Sequence, residues 1–432
     1  MTTPLSDFIR RYIASGPARL HMPGHKGACP EDITEVTGAD SLYEASGVIL
    51  RSEENAARLF NAGTTLYSAE GSSQCVKAMV FLAARSGTIL AARNAHQSFV
   101  HGAALCGADV EWLFPEEASS PYSALIDPER LEGYLKSRKT LPAALYVTSP
   151  DYLGREQDLA GLSKVCRRHG MLLMCDNAHG AYLRFLEPSR HPMDLGADMC
   201  CDSAHKTLPV LTGGAYLHLR KGLPEDITSR AGAAMALFGS SSPSYLILKS
   251  LDDMNAVLED GFAADLKAAA ESVQREKDRL RELGWGVMPS DEMRIVLRAA
   301  GNMNGLQMAS RAREENVECE FADENVLVAM YTPCNRPEDL SALSRALGKA
   351  PGRPKEKTWT PHRPERVMGL REALLSPWEK VPAGDAEGRI CALPLPHCPP
   401  AVPPVMPGER VDFEVMRRLE ETGIGEIFAV RR

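Results

Sequence analysis

The stretch from residue 144 to residue 176 constrains the fold most tightly. It holds two continuous apolar runs, 144–148 (Ala-Leu-Tyr-Val-Thr) and 171–175 (Met-Leu-Leu-Met-Cys), on either side of an amphipathic segment around 159–165. A strand with one face in water alternates polar and apolar residues; a continuous apolar run needs cover on both faces. Strand, loop, helix and strand at this spacing form a βαβ crossover. Residues 88–92 (Thr-Ile-Leu-Ala-Ala), ending at Arg93-Asn94, read as a third such strand. The pattern predicts a doubly wound α/β domain over about residues 40–255, with ligands beyond the carboxyl ends of its strands.

The character of the chain changes near residue 256. Residues 256–285 carry a long, charged helical pattern, and shorter elements follow to about 349. Residues 351–364 are rich in Pro, Lys and Arg and read as a linker. The last seventy or so residues hold Pro394, Pro396, Pro399, Pro400, Pro403, Pro404 and Pro407. That density keeps helix interiors and central strands out of this stretch and favours an ordered, loop-rich cap. The division expected is an N-terminal arm (1–39), a major domain (40–255), a small α/β domain (256–350), the linker (351–364) and a Pro-rich C-terminal domain (365–432).

Composition narrows the functions. With 49 Lys and Arg against 57 Asp and Glu, the net charge is −8, which disfavours a general nucleic-acid binder. No run approaches a membrane span, and the N-terminus has no basic region followed by an apolar one. The 11 cysteines are scattered without a CxxC, so neither a zinc site nor a disulfide framework is indicated and no metal is expected. A cytoplasmic protein is the expectation.

Four local patterns carry chemistry. Ser203-Ala204-His205-Lys206-Thr207 places a lysine between apolar flanks. Such a lysine is either paired or chemically used, and a Schiff-base amine needs desolvation to lose its proton near neutral pH. Asp176-Asn177-Ala178-His179-Gly180 follows a strand and puts a carboxylate at the ligand edge of the sheet. It is either a turn cap or the anion that keeps a pyridine nitrogen protonated. Gly71-Ser72-Ser73-Gln74 opens a helical run, where N–H groups, dipole and hydroxyls make either a plain cap or an anion site. Lys77 completes no Walker motif. His96, in Arg93-Asn94-Ala95-His96-Gln97-Ser98, is either a satisfied loop histidine or a ring stacked on a planar cofactor. Together these are the parts of a pyridoxal phosphate site: an amine, an acid for the ring nitrogen, a phosphate cradle and a stacking ring.

Longer motifs accompany them. They include Leu20-His21-Met22-Pro23-Gly24-His25-Lys26-Gly27, Asp32-Ile33-Thr34-Glu35, Thr148-Ser149-Pro150-Asp151-Tyr152-Leu153-Gly154 and Ser241-Ser242-Pro243-Ser244-Tyr245. In the tail come Arg371-Glu372-Ala373, Gly388-Arg389-Ile390, Pro399-Pro400-Ala401-Val402-Pro403 and Pro407-Gly408-Glu409. On these residues, from about 8 to 425, the chain resembles the ornithine/lysine/arginine decarboxylases, and within them the short, biosynthetic-type branch.

The resemblance implies a fold-type-I, aspartate-aminotransferase-like major domain with a mixed, mostly parallel sheet, followed by smaller α+β C-terminal domains. It implies pyridoxal 5'-phosphate as cofactor, bound as a Schiff base to Lys206. Asp176 would pair with the pyridine nitrogen, His96 would stack on the ring and Ala178 would pack under it. Ser72, Ser73, Ser203 and His205 would hold the phosphate, and His179 would lie near the ring's oxygen side. The implied reaction is decarboxylation of arginine, lysine or ornithine to the corresponding amine, a polyamine precursor or diamine. Segment 21–27 would approach a neighbouring subunit's site in a homodimer or higher even oligomer. Alternatives are an aminotransferase or lyase of the same fold, or a non-catalytic cofactor-binding homologue. The chain departs from the family pattern at Asn177, Tyr182, Gln97 and Cys398. Asp151, Glu35 and Asp40 are candidates to read the substrate's distal cation.

Overall fold

Apolar runs that need cover on both faces receive it. The computed structural model describes residues 1–85, 87–115, 121–355, 359–395 and 402–431. Its main sheet contains β1 (Thr64–Ser68), β2 (Ile89–Ala92), β3 (Val110–Leu113), β4 (Ala144–Thr148), β5 (Leu172–Asp176), β6 (Met199–Asp202) and β7 (Ala215–Leu219). Their spatial order is β1-β7-β6-β5-β4-β2-β3. From β6 to β3 neighbouring strands are parallel, while β7 runs antiparallel to both β6 and β1.

Alternate residues of each strand serve opposite faces. Ala144 and Tyr146 of β4 join a cluster with Met79 and Phe99, from the helices Ser72–Ala84 and Gln97–Cys106. Leu145 and Val147 join another with Leu131 and Leu162, from Pro128–Lys136 and Leu159–Arg168. Every residue of β4, β6 and β7 is buried. The carboxyl ends of the parallel strands therefore gather at one edge of a closed three-layer core.

Two smaller sheets follow. β8 (Arg294–Arg298), β9 (Phe321–Ala322) and β10 (Val326–Met330) form an antiparallel sheet in the order β8-β10-β9. β11 (Trp378–Pro382) pairs antiparallel with β12 (Glu426–Val430). The helix expected over 256–285 is corrected. Its first residues finish one helix, Tyr245–Glu259, and a second, Phe262–Glu282, begins beyond Gly261. Gly261 has φ +90°, which no α-helix accommodates, so one apolar pattern folds as two rods. Pro394, Pro403, Pro404 and Pro407 lie outside helices and strands; Pro396, Cys398, Pro399 and Pro400 lie outside the described residues. Among the described residues the cysteines are free thiols, and no helix is long and apolar enough to cross a membrane.

Beneath the active edge lies a buried polar network. Asp202, at the end of β6, has no exposed surface. Its Oδ1 accepts from Asn177 Nδ2 at 2.6 Å, and its Oδ2 accepts from His191 Nε2 at 2.9 Å and His218 Nε2 at 3.2 Å. Thr65 Oγ1 lies 2.8 Å from the other ring nitrogen of His218. Burial works against the charge, but the two imidazoles outweigh it and hold Asp202 well below the usual carboxylate range. Cys200 lies beside His191 and Asp202, and burial pushes its thiol well up.

Two pH effects of the same sign follow. Burial also pushes His218 below its ordinary 6.5, so in acid the unfolded chain takes up that proton first. The depressed Asp202 stabilises the fold fully above its ordinary 3.8, and that contribution is lost as the pH falls through and below it. Denaturant unfolding should therefore show stability falling from about pH 6.5 downward. Asp202→Asn should cost about 3–5 kcal/mol at neutral pH, because it breaks a buried ionic network from one side. A loss under about 1 kcal/mol would contradict that assignment.

Candidate active site

Asp176 closes β5 and is 4% exposed. Tyr146 OH donates to its Oδ2 at 2.9 Å and the Ala178 N–H to its Oδ1 at 3.1 Å, so both oxygens are fixed. The following loop is held by the hydrogen bond from Asn177 to Asp202. Asn177 is thus the donor that a buried anion requires. A glutamate in its place would bring a second carboxylate to the same spot.

Lys206 stands in the single helical turn Ala204–Thr207 directly after β6. Its Nζ donates to His179 Nε2 at 2.9 Å. His179 is buried, and burial first, then the charges of Lys206 and Arg294, press its pKa well below 6.5. A neutral His179 accepts from the Lys206 ammonium, leaving Nδ1 buried without a hydrogen-bond partner. The flanks Ala204, Thr207 and Leu208 are buried as expected, but Lys206 itself is exposed. The expectation of a desolvated lysine is corrected for the single chain. The turn buries Ala204 and Thr207 on its inner side, and Lys206 takes the exposed side.

The residues expected to cradle a phosphate meet across two strand ends. Ser72 and Ser73 begin the Ser72–Ala84 helix, and as its first two residues their N–H groups have no intrahelical acceptors. Ser203 Oγ donates to Ser72 Oγ at 2.7 Å, although the two are 131 residues apart. Beside Gly71 a Cβ would find nothing within 4 Å, so the helix start opens onto free space. His205 Nδ1–H donates to the Gly214 carbonyl at 3.0 Å, and burial keeps the ring below its ordinary pKa. His96 caps the Gln97–Cys106 helix, its Nδ1 accepting from the Ser98 N–H at 3.2 Å. Its pKa is lowered mainly by burial; Asp176 pulls it up and Lys206 presses it down. Ala178 is buried between Asp176 and His179. Gln97 is exposed.

Other residues belong here that sequence reasoning passed over. The Tyr152 ring meets His179 edge-on at 5.3 Å, and its hydroxyl donates to Glu320 at 2.8 Å. Arg294 opens β8 fully buried, paired with Asp291, while its Nε and Nη2 have no hydrogen-bond partner. Its sequence signal was a lone cation heading an apolar strand. Tyr182 is buried in the field of Arg294, its hydroxyl also without a partner. Of the three acids suggested for the distal cation, Asp40 is committed elsewhere. Its carboxylate accepts from the N–H groups of Ser46, Gly47 and Ile49 around the start of the Val48–Leu59 helix. Asp151 is buried and accepts from the N–H groups of Leu153 and Arg155. Glu35 is exposed.

The fold is that of the fold-type-I enzymes. The chain belongs to the Orn/Lys/Arg decarboxylase family, whose major-domain profile matches residues 28–287. It is 28% identical to the uncharacterized protein YaaO of Bacillus subtilis (strain 168), over 97% of this chain and 94% of that one. It is 26% identical to an arginine decarboxylase of the same organism, over 95% and 92%. Among solved structures, the lysine decarboxylase LdcF of Francisella novicida shares the fold. The TM-score is 0.81 at 15% identity, covering 99% of this chain and 80% of that one.

If Lys206 is the Schiff-base amine, borohydride treatment of the cofactor-loaded protein should fix the label on the peptide carrying Lys206. A label on any other lysine would end that assignment. Asp176→Asn keeps the shape of the side chain but removes its charge. It should lower turnover by at least ~100-fold while cofactor still binds; near-normal turnover would make Asp176 structural.

Proposed function

We propose that this chain decarboxylates a basic amino acid (arginine, lysine or ornithine) with pyridoxal 5'-phosphate as cofactor. The observation that carries the reading is the 2.9 Å contact between Lys206 Nζ and His179, on the loop that begins with the fixed Asp176 carboxylate. The site's residues fit the cofactor. Free space at the Gly71 helix start, bordered by Ser72, Ser73 and Ser203, suits its phosphate, with His205 beside Ser203. Asp176 offers a fixed negative charge for a ring nitrogen, His96 a neutral flat ring, and Ala178 a small apolar surface. Lys206 carries the amine that would hold the cofactor covalently. When bound, pyridoxal phosphate supplies the electron sink that makes loss of carbon dioxide from an α-amino acid feasible.

The protein's part is orientation and proton control. The Asp176 oxygens, fixed by Tyr146 and Ala178, hold a proton on the ring nitrogen without themselves moving. His179, kept neutral by burial and by the positive charges around it, accepts the hydrogen bond that orients Lys206 Nζ. Tyr152 screens one side of His179 from solvent. We also propose a homodimer in which segment 21–27 covers the partner's site. Met22 is 62% exposed in the single chain, and Lys206 lies on the exposed side of its turn.

A carboxylate reading the distal ammonium or guanidinium is worth about 1.5–3 kcal/mol, or roughly a 10–100-fold preference over an uncharged side chain of equal length. Mass spectrometry after incubating the loaded enzyme with arginine, lysine, ornithine and norleucine should therefore show an amine from at least one basic substrate and far less from norleucine. No amine from any of them, with a new amino acid formed from an added keto-acid acceptor, would mean an aminotransferase. Because His179 stays neutral until well below its ordinary pKa, the acid limb of kcat/KM should lie below pH 6.5. A limb centred above that value would remove His179 from its role. Solution scattering should report a dimer; a monodisperse active monomer would refute the assembly.

A further inference from the structure

Two motifs at opposite ends of the chain meet in the core, and neither has a part in the chemistry above. Arg93 follows β2, three residues before His96, and has no exposed surface. Its two terminal nitrogens donate to the two carboxylate oxygens of Glu409 at 2.5 and 2.6 Å. The Arg93 guanidinium also lies over the rings of Phe114 (4.8 Å) and Trp112 (5.7 Å), which confine it in its plane. Glu409 is itself fixed, because its Oε2 also accepts the Met406 N–H at 2.8 Å. The preceding Gly408 has φ +89°, and a Cβ there would sit 2.5 Å from the Met368 carbonyl, so the turn presenting Glu409 tolerates no other residue.

The same C-terminal segment holds the far end of the helix that His96 caps. Arg371 Nη1 donates to the Ala104 and Leu105 carbonyls at 2.9 and 3.0 Å, in the last turn of Gln97–Cys106. A cation there meets both the open carbonyls and the negative end of the helix dipole. Leu370 and Met406 join the cluster that contains Phe99, Val100 and Ala103 of this helix. The helix is thus gripped at its start through Arg93, at its end through Arg371, and along its buried side.

We propose that the C-terminal segment is a positioning element for the active site, with Glu409 and Arg371 as positioning residues that set the placement of His96. This deepens the proposed function and rests on it, since His96 matters only if its ring meets the cofactor. A bidentate Arg–carboxylate pair fixes angle as well as distance. The orientation of the loop 93–96 is therefore set by residues more than 270 positions downstream in the sequence.

Two variants separate positioning from mere stability. Arg371→Ala removes an exposed side chain. The double variant Arg93→Met with Glu409→Leu replaces the buried pair by apolar groups of similar size, which leaves no uncompensated charge. Hydrogen exchange on the cofactor-free chain gives the first readout: amides of residues 94–100 should exchange at least ~10-fold faster in both variants, while those of β5 keep their protection. Titration with pyridoxal phosphate gives the second: affinity should fall roughly 10-fold, with altered visible circular dichroism of what binds. Faster exchange with unchanged affinity and dichroism would overturn the proposal, as would unchanged exchange in either folded variant. Should the double variant not fold, Arg371→Ala alone decides. Failure of the unaltered chain to bind pyridoxal phosphate would instead sink the proposed function. The exchange arm would then still report whether the segment holds the helix, and unchanged exchange would overturn the grip itself.

Discussion

A negative charge shut away from water must be surrounded by donors, and at Asp202 each donor comes from a different element. Asn177 belongs to the loop after β5, His191 to the turn before Pro192–Leu195, and His218 to β7. The carboxylate stitches β5, β6 and β7 together one residue before Ser203 and four before Lys206. Because desolvation makes any missing donor costly, these three elements cannot shift independently. The relative placement of Asp176, Ser203 and Lys206 depends on that stitch.

Around it, the site is built from fixed polar contacts. Tyr146 and Ala178 hold Asp176, Ser203 reaches Ser72, and His96 is held by Ser98. The neutral imidazoles of His96, His179 and His205 share one cause: burial, which opposes a charge on each ring. A site with Lys206 and Arg294 nearby would repel further cations, so keeping these rings uncharged spares it that repulsion.

Much of this was legible in the sequence. β4 matches its apolar run residue for residue, and β2 and β5 match theirs within one, because continuous apolar stretches between turn residues have few alternatives. The motifs at Ser72, His96, Asp176 and Lys206 follow strands of the main sheet that end at one edge, which is why the sequence could place them near one another. What was not legible is what the chain brings together from afar. Arg294 reaches the site from a different sheet, and the Arg93–Glu409 pair spans 316 residues. The break at Gly261 hid inside a pattern whose apolar period continues through it. The exposure of Lys206 was missed because flanking residues report on the turn's inner side alone. The departure at Tyr182 places a buried phenol in the field of Arg294, and the structure offers no further account of it.

The contact between Asn177 and Asp202 also bears on how such a chain can change over generations. A glutamate in place of the asparagine would set a second carboxylate against the buried aspartate, so that substitution cannot stand alone. Nor can the aspartate be neutralised without stranding the amide and two imidazoles. Each position sets the terms on which the other can vary. Drift here must proceed through paired changes, because either residue altered alone leaves a buried charge or donor unmatched.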